Sequence, residues 1–118
     1  MTDDALRRVT QEADLEGVLD EALAVVYKHS PRCGVSAAAL IEVRQFAAGH
    51  PEVPVYRVNV IAHRPVSQVI AERLEVRHQS PQVILVRHGQ TVWHASHYRV
   101  SAERLEAALA DARAGHET

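Results

Sequence analysis

Leu23-Ala24-Val25-Val26-Tyr27-Lys28-His29-Ser30-Pro31-Arg32-Cys33-Gly34-Val35-Ser36 is the stretch whose reading decides the fold. Its first half, Leu23 to Lys28, is short, apolar and β-branched, which suits a strand covered on both faces. His29 to Cys33 reads as a turn, with Ser30 as an N-cap and Pro31 supplying the fixed φ of a first helical residue. From Val35 to Ala48 an Ala-rich run follows. Leu40, Ile41, Val43 and Phe46 recur there at helical spacing, and Gly49-His50-Pro51 stops it. Strand, turn and helix in this order put Cys33 in the first turn of a helix, at the carboxyl end of a strand.

Working outward, residues 1–13 read as a polar leader. Asp14 is the expected N-cap of a short helix carrying Leu15, Val18, Leu19 and Ala22 on one face. Val53 to Val60 alternates as a strand does, and Pro54 predicts a position at its start or at a sheet edge. Pro65 to Val76 has Val66, Val69, Ile70 and Leu74 at helical spacing. His78-Gln79-Ser80 leads as a loop to Pro81. Val83–Arg87 and Thr91–Ala95, joined by His88-Gly89-Gln90, read as a hairpin. Ser101 caps a last helix with Leu105, Ala108 and Leu109 inward, and residues 114–118 form a polar tail. The order helix-β-α-β-α-β-β-α, with right-handed crossovers, makes the first two strands parallel and the hairpin antiparallel. That is the element order of the α/β thioredoxin fold, a four-stranded mixed sheet flanked by helices, here filling one domain over residues 1–118.

Composition narrows the functions. The chain has 118 residues, 47% apolar and 24% charged, enough for one core and too apolar for disorder. Only 4% are aromatic, so the core is aliphatic. A net charge of -2 leaves no basic surplus for a phosphate backbone, so no nucleic-acid partner is expected. The longest apolar runs, such as Val83 to Val86, are too short to span a bilayer, and the acidic N-terminus has no apolar stretch behind it. A cytoplasmic monomer without membrane association is the expectation. Cys33 is the one cysteine, which excludes an intramolecular disulfide and a Cys-only zinc site. His94 and His97, three apart on a strand, would point to opposite faces, so no metal site is expected.

The chemistry therefore falls on Cys33. Free N–H groups and the helix dipole favour an anion at a helix start, with Lys28, Arg32 and protonated His29 adding charge. In such places cysteine pKa values fall from about 8.5 to roughly 3.5–7.5. A lone cysteine is more often a buried structural one, but Ser30-Pro31-Arg32 marks an exposed stretch and favours a nucleophile. Cys33-Gly34-Val35-Ser36 has the C-x-x-S spacing. Ser36 cannot resolve a mixed disulfide, although its hydroxyl can hydrogen-bond the thiolate; its alternative role is that of a small polar helix residue. What remains is monothiol exchange, the adduct on Cys33 being removed by an outside thiol. The thioredoxin element order also predicts a cis peptide before Pro81, exposing the Ser80 backbone to a bound substrate.

These pieces together resemble the monothiol bacilliredoxins of the YtxJ type, the bacillithiol-system redox-active proteins. The matching residues are Lys28-His29-Ser30 with Cys33 and Ser36, Arg64 and Ser67, His78 with Ser80-Pro81-Gln82, and Trp93 with Ser96-His97-Tyr98. Tyr27 fits the family's aromatic before the lysine, while Arg32-Cys33-Gly34 departs from other members. The resemblance implies a Cys33 nucleophile that removes bacillithiol from S-bacillithiolated proteins, with bacillithiol as co-substrate and no bound cofactor. Bacillithiol carries a malate moiety with two carboxylates, for which Lys28, Arg64 and Arg32 are the candidate cations. The alternative roles are a solvated strand end for Lys28 and a mere neighbour of Pro65 for Arg64. His97 is expected to bond locally around Ser96, and Trp93 and Tyr98 to pack on the last helix. Two rival readings stand beside this one. The first is a C-G-F-S glutaredoxin holding an iron–sulfur cluster with glutathione, from which Cys33-Gly34-Val35-Ser36 differs at one residue but whose Gly-Gly-x-Asp stretch is missing. The second is a non-catalytic thioredoxin-like module. A phosphatase-type loop is excluded, because Ala39 stands six residues after Cys33 where an arginine is needed.

Overall fold

Five strands, not four, form the sheet in the computed structural model, which describes residues 5–115. In chain order the elements are β1 (Leu6–Arg8), α1 (Glu12–Asp20), β2 (Leu23–His29), α2 (Gly34–Gly49), β3 (Val55–Asn59), α3 (Arg64–Leu74), β4 (Gln82–Arg87), β5 (Gln90–Ser96), a 3-10 turn (His97–Arg99) and α4 (Ala102–Arg113). The strand order is β1-β3-β2-β4-β5, with β1, β3 and β2 parallel and β4 and β5 antiparallel to their neighbours.

The additional strand is a correction to the polar leader. Leu6–Arg8 pairs in parallel with Val55–Arg57 and buries only Leu6. Three residues with a single inward side chain leave no alternating pattern to read. The N-cap of α1 is likewise Gln11 rather than Asp14. Asp14 sits three residues later and accepts from the N–H groups of Thr10 (2.9 Å) and Gln11 (3.3 Å), which hold its carboxyl below the usual range. Pro54 lies at a strand start and not at an edge, since β3 runs between β1 and β2.

Strand β2 is the centre of the sheet and its inner five residues are buried. Alternation sends Val25 and Tyr27 to one face, where Val43, Phe46, Leu105 and Leu109 of α2 and α4 cover them. Ala24 and Val26 face α1 and α3 through Leu15, Val18, Val66 and Ile70. Each fully buried aliphatic or aromatic side chain contributes about 1.5–3 kcal/mol, so these two aliphatic layers fix the sandwich. On α2 the inward stripe is Ser36, Ala39, Val43, Phe46 and Ala47; Ile41, one of the residues at helical spacing, is 59% exposed. In an Ala-rich helix the small residues can take the sheet side, and the sequence does not mark which stripe wins. Helix α3 ends at Leu74, two residues early, because Glu75 turns left-handed. The hairpin loop is His88-Gly89, both with positive φ, as a two-residue turn matching strand twist requires. Ser101 caps α4 by accepting from the Arg104 N–H.

Candidate active site

The turn after β2 is built differently from the Ser30 cap that its residues suggest. Pro31 and Arg32 form a turn closed by the Cys33 N–H donating to the Ser30 carbonyl (3.2 Å), and Cys33 itself is the N-cap of α2. The helix start is thus displaced by three residues, from Ser30 to Cys33, which puts the sulfur where a capping oxygen normally stands. The sulfur closes no formed capping bond. The N–H of Ser36 and then that of Val35 nevertheless face it, with help from the Ser36 hydroxyl, and together they hold the thiol below its ordinary value. These are the second and third helical positions, whose amides lack helical partners. Cys33 is partly exposed and has no disulfide partner.

The charges named for this thiol stand elsewhere. Arg32 is exposed and not among the groups that lower Cys33. Burial and then Arg57 and Arg44 lower the His29 pKa, which favours the neutral ring over the charged one. Backbone amides, not cations, lower the pKa of this thiol.

Under Cys33 lies Tyr27. Its hydroxyl donates to the Ser36 carbonyl (2.9 Å) and lies 2.9 Å from His29 Nδ1. Both bonds coexist when His29 Nδ1 carries the proton and donates to the phenol oxygen. Burial pushes the Tyr27 phenol well above its usual pKa, so it stays neutral. The buried Ser36 hydroxyl accepts from the Ser30 N–H (3.2 Å), so one side chain braces both the turn and the thiol.

The Ser80–Pro81 peptide is cis. Register brings it to this end of the sheet, since Lys28 pairs with Gln82 across β2 and β4. The His97 N–H donates to the Pro81 carbonyl (2.8 Å), and His97 Nε2 donates to Gln79 Oε1 (3.0 Å). His97 therefore pins the proline loop instead of bonding around Ser96. Trp93 packs against the core as expected. Tyr98 is 84% exposed, because the 3-10 turn after β5 carries it away from α4.

Lys28 is no solvated strand end. It is completely buried on the face opposite Tyr27. Its ammonium donates to His78 Nδ1 (3.0 Å), with the Ser67 hydroxyl 3.3 Å from the same nitrogen. Burial lowers the lysine to about 8. Burial first, then Lys28 and Arg64, lower His78, consistent with a neutral ring that accepts. Beside this pair opens a cleft of about 310 Å³ lined by Val60, Ile61, Arg64, Ser67, Gln68, His78 and Ser80. Arg64 and Ser80 thus line one cleft, whereas Lys28 does not and touches it only through His78. His78 as the lysine's partner and Tyr27 as the brace of α2 carry no role in the sequence reading. The available signal is that Lys28 is the one charged residue in a strand read as buried on both faces.

A lone thiol of lowered pKa at a helix start, with a cis-proline at the same end of a mixed sheet, defines a thioredoxin-fold thiol–disulfide oxidoreductase. Solved structures agree on the fold. A candidate oxidoreductase with a thioredoxin fold is 26% identical, with a TM-score of 0.84 over 89% of this chain and 94% of that one. Thioredoxin from Trypanosoma brucei brucei (18% identity, TM-score 0.74, 93% and 92% covered) and from Fasciola hepatica (22%, 0.70, 89% and 97%) share the fold. The family described as monothiol bacilliredoxin BrxC matches residues 5–105, and the chain belongs to it. Among the described residues no helix is long and apolar enough to cross a membrane.

Proposed function

We propose that this protein removes bacillithiol from S-bacillithiolated proteins in the cytoplasm by monothiol exchange at Cys33. The Cys33 thiolate attacks the bacillithiol sulfur of the mixed disulfide. The S–S bond between bacillithiol and the substrate cysteine breaks, and the substrate cysteine leaves as a thiolate that takes a proton from solvent. Bacillithiol is then held on Cys33 until a second thiol attacks, giving a small-molecule disulfide and restoring the Cys33 thiolate; the chain ends unchanged in oxidation state. Ser36 occupies the resolving position without a sulfur, so the adduct waits for an external thiol. Arg32, exposed beside Cys33, is available to an incoming carboxylate, as is the exposed Arg64, while the buried Lys28 stands behind His78. The Ser80 backbone before Pro81 is the edge to which an extended substrate would pair.

The observation that carries this reading is the position of the sole sulfur as N-cap of α2, partly exposed and lowered by two backbone amides. Intact-mass spectrometry after mixing with oxidised bacillithiol, and separately with oxidised glutathione, tests it. A full-occupancy adduct from bacillithiol alone, lost in Cys33→Ser, is the expected result. Equal labelling by both disulfides, or labelling by neither, removes the assignment.

A further inference from the structure

The parallel strands β1, β3 and β2 end on the side of the sheet away from the Pro81 loop, and open α/β sheets take ligands beyond such carboxyl ends. A cavity of about 290 Å³ opens there, lined by Arg8, Thr10, His29, Arg57, Asn59 and His63 and reaching Pro31 of the Cys33 turn. The register explains the gathering. Arg8 pairs with Arg57, Arg57 with Tyr27 and Asn59 with His29, so all of these side chains take the face of the sheet that Tyr27 takes. Among the described residues the lining holds two guanidiniums and two imidazoles and no carboxylate.

What each group offers a ligand is fixed by its other bonds. Asn59 Oδ1 accepts from the N–H groups of Ile61 and Ala62, both at 3.0 Å, so its amide nitrogen is the group left for the cavity. His29 Nδ1 carries its proton toward the Tyr27 oxygen, which makes Nε2 of the neutral ring an acceptor. Arg57 has a contact of its own in the fold, and its charge still reaches His29, whose pKa is lowered by burial and then by Arg57 and Arg44. Arg8 is exposed. The cavity therefore offers donors on most sides and one acceptor, a set that fits an anion still able to donate a proton.

We infer that this cavity is a binding site for a small phosphate-bearing anion, whose oxygens accept from Arg8, the Asn59 amide and His63 while its P–O–H group donates to His29 Nε2. A phosphate monoester loses its second proton near about pH 6, so close to neutrality it retains part of that proton. A carboxylate, ionised from about pH 4 upward, brings none. Guanidinium groups match phosphate oxygens in geometry as well as in charge. The volume lies just under the roughly 300–1,000 Å³ of drug-sized sites, which suits a phosphate with a small substituent. Neither Cys33 nor any cation named for the exchanged thiol takes part, so the site is independent of the exchange reading.

The test is an NMR titration of the full chain near pH 6.5, at about physiological ionic strength, with glycerol 3-phosphate, inorganic phosphate and sulfate. Both phosphates should saturate, shifting Thr10, the Asn59 side-chain amide and His63, and moving His29 Nε2 from an unprotonated to a protonated nitrogen signal. Sulfate has the same shape and no proton to give, and is expected to bind about 10-fold more weakly or worse, the loss of one charge-assisted hydrogen bond. Asn59→Asp keeps the acceptor for the Ile61 and Ala62 N–H groups and replaces the donor by an anion; it should weaken phosphate at least about 10-fold. The exposed Arg8→Gln should act in the same sense, and it serves if Asn59→Asp does not fold. Cys33→Ser should bind as the wild type does. Tighter binding of the ester assigns the ligand as a phosphorylated small molecule, and equal binding as free phosphate; both support the site. No saturation, sulfate bound as tightly as phosphate, or an unchanged affinity in the folded Asn59 or Arg8 variant overturns the inference. Phosphate binding by a wild type that reacts with no disulfide would refute the exchange reading and leave this site standing.

Discussion

Tyr27 and Lys28 are consecutive, both completely buried, and point to opposite faces of one central strand. Both suffer the same desolvation, yet they answer it differently. The phenol becomes more firmly neutral and spends its polar group on Ser36 and His29. The amine is pushed to about 8 and keeps most of its donors unspent. On the Tyr27 face the polar group is partnered and braces the start of α2; on the Lys28 face a buried ammonium with the His78 ring as its partner costs stability. A buried polar group with full partners stabilises a fold, and one with few partners destabilises it.

The contrast can be attacked residue by residue. Tyr27→Phe has the largest expected effect, a loss of about 1–2 kcal/mol in urea unfolding for a buried hydrogen-bonded hydroxyl. No loss would make the two faces equivalent. Lys28→Met should do the opposite, leaving stability unchanged or raising it by about 1 kcal/mol, because an unpaired buried charge is replaced by an apolar chain of similar length. A loss comparable to that of Tyr27→Phe would sink the comparison.

The pH dependence of unfolding sharpens it. Lys28 binds its proton less tightly folded than unfolded, so the unfolded chain holds more protons between pH 8 and 10.5 and stability rises with pH across that window. Cys33, lowered from 9.0, adds a rise of the same sign up to that pH. Tyr27, raised from 10.0, reverses the sign: above pH 10 the unfolded phenol ionises first and stability falls. Urea midpoints from pH 7.5 upward should thus climb and then turn over. Lys28→Met should flatten the climb and Tyr27→Phe the descent; an unchanged profile in either variant refutes the corresponding assignment. Smallest is Ser36→Ala, expected to slow alkylation of Cys33 near neutral pH by about threefold, since the amides of Ser36 and Val35 remain. A much larger fall would mean that the hydroxyl, not the backbone, ionises the sulfur.

Much of the site was legible because its signals are local. Cys33, Ser36 and the cis-proline position follow from capping chemistry and element order within short windows. The same locality explains the errors. Ser30-Pro31 reads as a helix start until the chain closes a turn onto Cys33, and Arg32 reads as a partner for the thiol because sequence proximity carries no direction. Leu6–Arg8 becomes a strand only because β3 offers it an edge.

From its residues alone the chain determined an aliphatic α/β sandwich and one reactive sulfur where a strand hands over to a helix, since periodicity and capping act over a few positions. Tertiary structure alone decided what Lys28 meets. His78 lies fifty residues away. The face a strand side chain takes, and the loop that closes over it, are set by long-range register and packing, which no local pattern of residues encodes.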